Sequence, residues 1–217
     1  MKFFLDDQAI TEREHDEGTL EQSLRVLQSR LEKAKRILVS FRCDGEDMIG
    51  PAMTEALKLP ASTFDRIDVY SGTRTELVLE TMTHASASLE EAEVSIQEIA
   101  RLLTEGRSPE AIPRLGECLS VWQQVHEAVW KSLTLLELDP ARIKIGDETV
   151  DATLTRPKDV LLQIKNALLA QDHVLLADIL QYEFTDVTEM WHSLIARLNQ
   201  EAAERRDGVA QRLETSS

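Results

Sequence analysis

The sequence predicts an α+β fold: a small N-terminal α/β module over residues 1–72, then an antiparallel bundle of four long helices over 73–205. Three observations predict it. Apolar residues up to Gly72 come in short runs, some of them alternating. Beyond Gly72 they recur at helical period through long segments. The Gly106-Arg107 link between the first two of them is very short, which makes those two helices antiparallel neighbours.

In the first part, Lys2–Leu5 is an apolar run stopped by Asp6-Asp7-Gln8, with Ala9-Ile10 beyond it, the pattern of a small hairpin. Residues 11–18 read as a charged loop. Thr19 and Gln22 have capping-box spacing and open a helix whose face is Leu20, Leu24, Leu27 and Leu31. Ile37–Cys43 is a β-branched strand stopped by an Asp44-Gly45 turn. Pro51 starts a short helix to Lys58, and Phe64–Tyr70 alternates as a last strand. That order of elements resembles the ubiquitin-like β-grasp fold. Such domains serve as docking or carrier modules, but carriers end in a free Gly-Gly. Here Ser71-Gly72 runs on into a helix, so the resemblance implies docking or scaffolding.

In the second part, Thr73 and Glu76 form another capping box, and the helix runs to Gly106. Its expected inward face is Leu77, Thr81, Ala85, Leu89, Ala92, Ile96, Ile99 and Leu103. Ser108 is the expected cap of the next helix, with Pro109 at its first position. The stripe of that helix is Ile112, Leu115, Leu119, Trp122, Val125, Val129, Leu133 and Leu136. Within residues 139–156, Ile143–Val150 reads as a hairpin. Thr155 then caps a helix from Pro157 with Val160, Leu161, Ile164, Leu168 and Leu169 inward. The last helix, about 173–205, turns Leu176, Ile179, Leu180, Phe184, Val187, Met190, Trp191, Leu194 and Leu198 inward. Residues 206–217 lose the period and read as a disordered tail.

Composition narrows the function. Hydrophobic residues are 42% of the 217, enough for a core. The 39 acidic against 24 basic residues give a net charge of −15, a field that repels phosphate backbones and anionic lipid. No apolar run reaches the ~20 residues that span a bilayer. With only Cys43 and Cys118, at no framework spacing, a cytoplasmic chain with reduced thiols is expected.

Chemistry-bearing motifs are thin. A dimetal bundle needs two Glu-x-x-His motifs plus two further Glu, and the chain has one, Glu189 to His192. The two cysteines make no zinc pair, no Gly-x-Ser-x-Gly elbow occurs, and no Gly-rich phosphate loop occurs. Asp44-Gly45-Glu46-Asp47 lacks the rest of a calcium loop. No catalytic residue, metal or cofactor is therefore expected.

The tryptophans are more informative. Trp122 lies in its helix stripe, and Trp130, eight residues on, is rotated by roughly 80° toward the stripe's edge. Either Trp122, Trp130 and Trp191 all fill the core, or Trp130 borders a groove for a partner helix. With Leu119 these are the candidate partner-binding residues. The stretch from Leu89-Glu90-Glu91-Ala92 through Ile99–Gly106, then Ile112-Pro113-Arg114-Leu115, resembles the FliS-type flagellin export chaperones over residues 74–200. So does Ala170-Gln171-Asp172 followed by Leu175–Leu180, with Trp191 closing the helix. That resemblance implies a bundle that binds helix-forming termini of an export substrate in hydrophobic grooves. The expected function is a non-enzymatic binding module that holds an amphipathic protein segment. The alternative is a structural homodimer whose apolar patch covers itself.

Overall fold

The computed structural model describes residues 2–10 and 18–214, with side chains to 206. Residues 11–17 of the expected charged loop lie outside the described residues, as do 215–217. The chain is α+β and divides into two compact units, Met1–Leu77 and Val78–Ser217, each with its own core.

The first unit is a five-stranded sheet and two helices. Its elements are β1 (Lys2–Leu5), β2 (Gln8–Ile10), α1 (Leu20–Lys33), β3 (Arg36–Cys43), β4 (Glu46–Asp47), α2 (Gly50–Lys58) and β5 (Arg66–Thr73). The sheet order is β2-β1-β5-β3-β4. β1 lies parallel to β5, and every other pair is antiparallel. Both hairpins close through two residues at positive φ: Asp6 and Asp7 at 49° and 65°, Asp44 and Gly45 at 52° and 88°. Mirror-image turns of this kind match the right-handed twist of the strands they join. The Thr19–Gln22 capping box forms in full, and Leu20, Leu24, Leu27 and Leu31 pack on Phe3, Phe41, Ile67 and Val69 of the sheet. β5 extends to Thr73, three residues past the Tyr70 at which the alternation ends.

Asp6 joins three parts of this unit. Its carboxylate accepts hydrogen bonds from the Ser71 amide at 2.8 Å, the Ser71 hydroxyl at 2.7 Å and the Arg36 guanidinium at 3.2 Å. Partial burial alone would raise its pKa, but the Ser71 bonds and the Arg36 charge outweigh this and hold the carboxyl below its ordinary range.

The second unit is a bundle of α3 (Arg74–Thr104, its first residues in the sheet unit), α4 (Ser108–Leu135), α6 (Pro157–Ala170) and one continuous rod. The rod consists of α7 (His173–Asp178), a π turn (Ile179–Glu183) and α8 (Phe184–Glu214). The Thr73–Glu76 box forms at the head of α3. Gly106, at φ 75°, ends it with the Arg107 amide donating to the Leu102 carbonyl at 2.9 Å, a Schellman closure. The expected hairpin forms from Lys144–Ile145 and Glu148–Thr149, here β6 and β7.

Several local expectations are corrected. On α3 the buried residues at the start are Val78 and Met82, not Leu77 and Thr81. Val78 is seven residues from Ala85 and only about 20° off its direction, whereas Leu77 is about 80° off. Ser108 is not the cap of α4. Arg107 holds that place without a side-chain capping bond, and the Ser108 hydroxyl pairs instead with His173 Nδ1 at 2.8 Å. On α4, Ala111 and Cys118 are buried while Ile112 and Leu119 are half-buried at the edge. Thr155 does not cap α6, because it ends a short helix, α5 (Val150–Thr155), which Thr149 caps. Leu161 and Leu169 of α6 are exposed; Pro157, Val160, Ile164 and Ala167 face the core. The backbone of α8 stays helical to Glu214, beyond the expected end at 205, over a stretch that includes the helix formers Ala210, Gln211, Arg212 and Leu213.

The carboxyl of Asp6 stabilises the sheet unit above its unfolded-state pKa of about 3.9. That contribution is lost as pH falls through the lower folded value. Asp6→Asn is expected to flatten the acid limb of stability against pH, measured by denaturant unfolding across that range, and to leave the neutral limb's slope unchanged.

Candidate functional site

On α4, Leu119, Trp122, Gln123 and His126 stand at i, i+3, i+4 and i+7, one above another on one helix face. Across from them on the rod, Phe184 and Trp191 are seven residues apart and share a face. The Trp122 ring meets Phe184 edge to face at 4.9 Å and Trp191 at 5.4 Å, with interplanar angles of 77° and 67°. The His126 ring lies 5.4 Å from Trp191 at a 31° tilt. Edge-to-face aromatic pairs contribute about 0.5–1.5 kcal/mol each beyond the area they bury.

The π turn lies directly before this cluster. The Phe184 amide donates to Ile179, one residue further back than in an α-helix, so the rod is re-phased just where Phe184 enters the cluster.

Above these rings is a cleft of about 500 Å³. Leu119, Trp122, Gln123 and His126 form its α4 wall, and Phe184 and Trp191 come from the rod. Leu154 of α5 and Pro157, Lys158 and Leu161 of α6 complete it. The volume is within the ~300–1,000 Å³ of sites that take small ligands or anchoring side chains, and the lining has the expected mix of apolar walls and few polar groups. The indole N–H groups of Trp122 and Trp191 are buried and have no acceptor among the described residues.

Of the four candidate residues, the cleft brings together Leu119, Trp122 and Trp191. Trp122 is 6% exposed and Trp191 is wholly buried, so both floor the cleft and fill the core at once. Trp130 is 51% exposed and does not line the cleft; it lies eight residues, about 12 Å, further along α4 than Trp122. The sequence reading missed Gln123, His126, Leu154, Pro157, Lys158, Leu161 and Phe184 as lining residues. The i, i+3, i+4, i+7 spacing from Leu119 to His126 carried a signal for two of them. Leu154 had none, because a six-residue helix is too short to show a period.

His192 Nε2 is 3.4 Å from Glu93 Oε2, while Glu189 is exposed. Among the described residues no three His, Cys, Asp or Glu side chains converge as metal ligands. Burial pushes the Cys118 thiol up to about 11, and burial with the nearby Asp44 charge does the same for Cys43. Neither thiol is therefore an activated nucleophile. No described helix is long and apolar enough to cross a membrane.

A small mixed sheet followed by a helical bundle with an open apolar cleft is the class these observations define. The chain belongs to the family described as domain of unknown function (DUF8042), whose model matches residues 80–194. The match takes in every residue of the cleft and none of the five-stranded sheet. No curated protein and no solved structure matches the sequence.

Trp191→Ala is expected to cost about 3–5 kcal/mol in denaturant unfolding, as for other large buried aromatics. Trp130→Ala is expected to stay within about 0.5 kcal/mol. Equal costs would mean that the cluster does not hold the bundle as described.

Proposed function

We propose that this chain is a non-enzymatic binding module that seats an apolar segment of another protein in the cleft between α4, α6 and α8. The observation that carries the reading is the cleft itself. Its walls are almost wholly apolar, its floor rings are themselves buried, and it is left unfilled by the chain's own side chains. Two of its wall residues, Leu119 and Leu161, are only partly buried, so they are available to an incoming side chain. Large aromatic floors of this kind are where interface energy concentrates.

An antiparallel bundle with such a groove is also what the likeness to FliS-type export chaperones implies, and we keep that kinship as part of the proposal. For the sheet unit, the β2-β1-β5-β3-β4 order with a parallel β1–β5 pair supports a ubiquitin-like reading and a docking role. A second reading, a structural homodimer, is favoured by a different observation. Leu162, Leu169, Val174, Leu175 and Tyr182 are exposed on α6 and the start of the rod, where a second copy would cover them.

The test compares the full chain with the double variant Leu119→Gln, Leu161→Gln as baits in an extract of the source cells. Both substitutions are neutral, so only the apolar contact changes. The proposal expects a monomer by sedimentation, and a prey protein held by the wild type and weakened at least tenfold by the variant. A tight dimer that the double variant dissociates favours the homodimer instead.

A further inference from the structure

Two grooves among the described residues of the bundle differ in charge. The one between α3 and α4, about 440 Å³, is rimmed by Glu91, Glu98 and Glu117. Its one basic residue, Arg114, lies 3.9 Å from Glu98. This is what a chain with 39 acidic residues leads one to expect. The cleft over the aromatic floor breaks that pattern, because none of its ten lining residues is acidic. Its one full charge is Lys158, which is exposed and has no carboxylate partner among the described residues. Neighbouring Arg156, by contrast, is paired with Glu148 at 3.1 Å. A lysine can line an apolar wall with its methylenes and keep its ammonium in water at the mouth. The other polar side chains of the cleft, Gln123 and His126, can act as donors.

An apolar hole with a lone cation at its edge, on an otherwise acidic surface, complements one kind of occupant. We propose that the cleft takes an acidic amphipathic segment of a second protein. A large apolar side chain sits on the Trp122–Phe184–Trp191 floor, and a carboxylate about one helical turn away pairs with Lys158. This rests on the protein-binding reading above. The charge pair adds choice of partner more than strength, since exposed pairs are weak and rim charges act on encounter and selectivity. A basic segment would meet Lys158 with like charge and would be drawn instead toward the Glu-rimmed groove.

The probe is a displayed library of short amphipathic helices with a fixed Leu/Phe face and flanking positions varied among Glu, Gln and Lys. It is selected on the full chain, and the Leu119→Gln, Leu161→Gln double variant serves as the control. The expected result is enrichment of Glu beside the apolar anchor. Such binders should weaken about tenfold on Lys158→Glu and less on Lys158→Gln, with the difference shrinking as salt is raised. Lys158 is exposed, so neither change threatens folding, which far-UV circular dichroism checks. Enrichment of Lys, or no charge preference, overturns this inference and leaves the docking reading standing. Failure to recover any binder that the control variant loses overturns both. A dimer that the selected helices dissociate places a second copy in the cleft and overturns the inference as well.

Discussion

The edge-to-face meeting of Trp122 with Phe184 and Trp191 is the interaction on which the bundle most depends. It joins α4 to the rod with three of the widest side chains in the chain, and their rings set how closely other helices can approach. Along α6 the inward residues run from Pro157 and Val160 to Ile164 and the small Ala167. The Ala167 end can close on its neighbours, while the Pro157–Leu161 end faces the rings. The cleft is at that second end.

The other long-range ties of the bundle are compatible with this arrangement. Arg205 donates to the Leu136 carbonyl at 2.6 Å, which satisfies an orphan acceptor at the end of α4. Gln163 Nε2 reaches Glu183 at 2.5 Å, so α6 is bonded to the π turn that re-phases the rod before Phe184. The sheet unit relies on different physics. Two mirror-image hairpin turns and the Asp6–Arg36–Ser71 cluster hold a mixed sheet against one amphipathic helix. The Arg66 guanidinium, bonded to Asp68 at 2.7 Å and lying 4.1 Å over the Phe4 ring, covers part of the outer face.

Much of this was legible in the sequence because it is local. The Thr19 and Thr73 capping boxes, the Asp44-Gly45 turn and the Gly106 stop act over a few residues and formed where their spacing placed them. What was not legible depends on neighbours. Period alone cannot say which edge of a stripe turns inward, so Leu161 and Leu169 looked as buried as Val160. The Ser108 hydroxyl had a better partner in His173 than its own helix offered, and no local pattern reveals that. The π turn has no composition signature. For the site, Trp122, Trp191 and Leu119 were identified from size and stripe position, while the α5 and α6 walls needed the tertiary fold.

The central claim, that the Trp122–Trp191 floor is a docking surface and Trp130 is not, can be read from the indole N–H resonances of the three tryptophans. A selected acidic helix is titrated into the isotope-labelled full chain. The account predicts that the Trp122 and Trp191 signals shift together with a common affinity while Trp130 stays in place. Movement of Trp130 with the other two unchanged would contradict it.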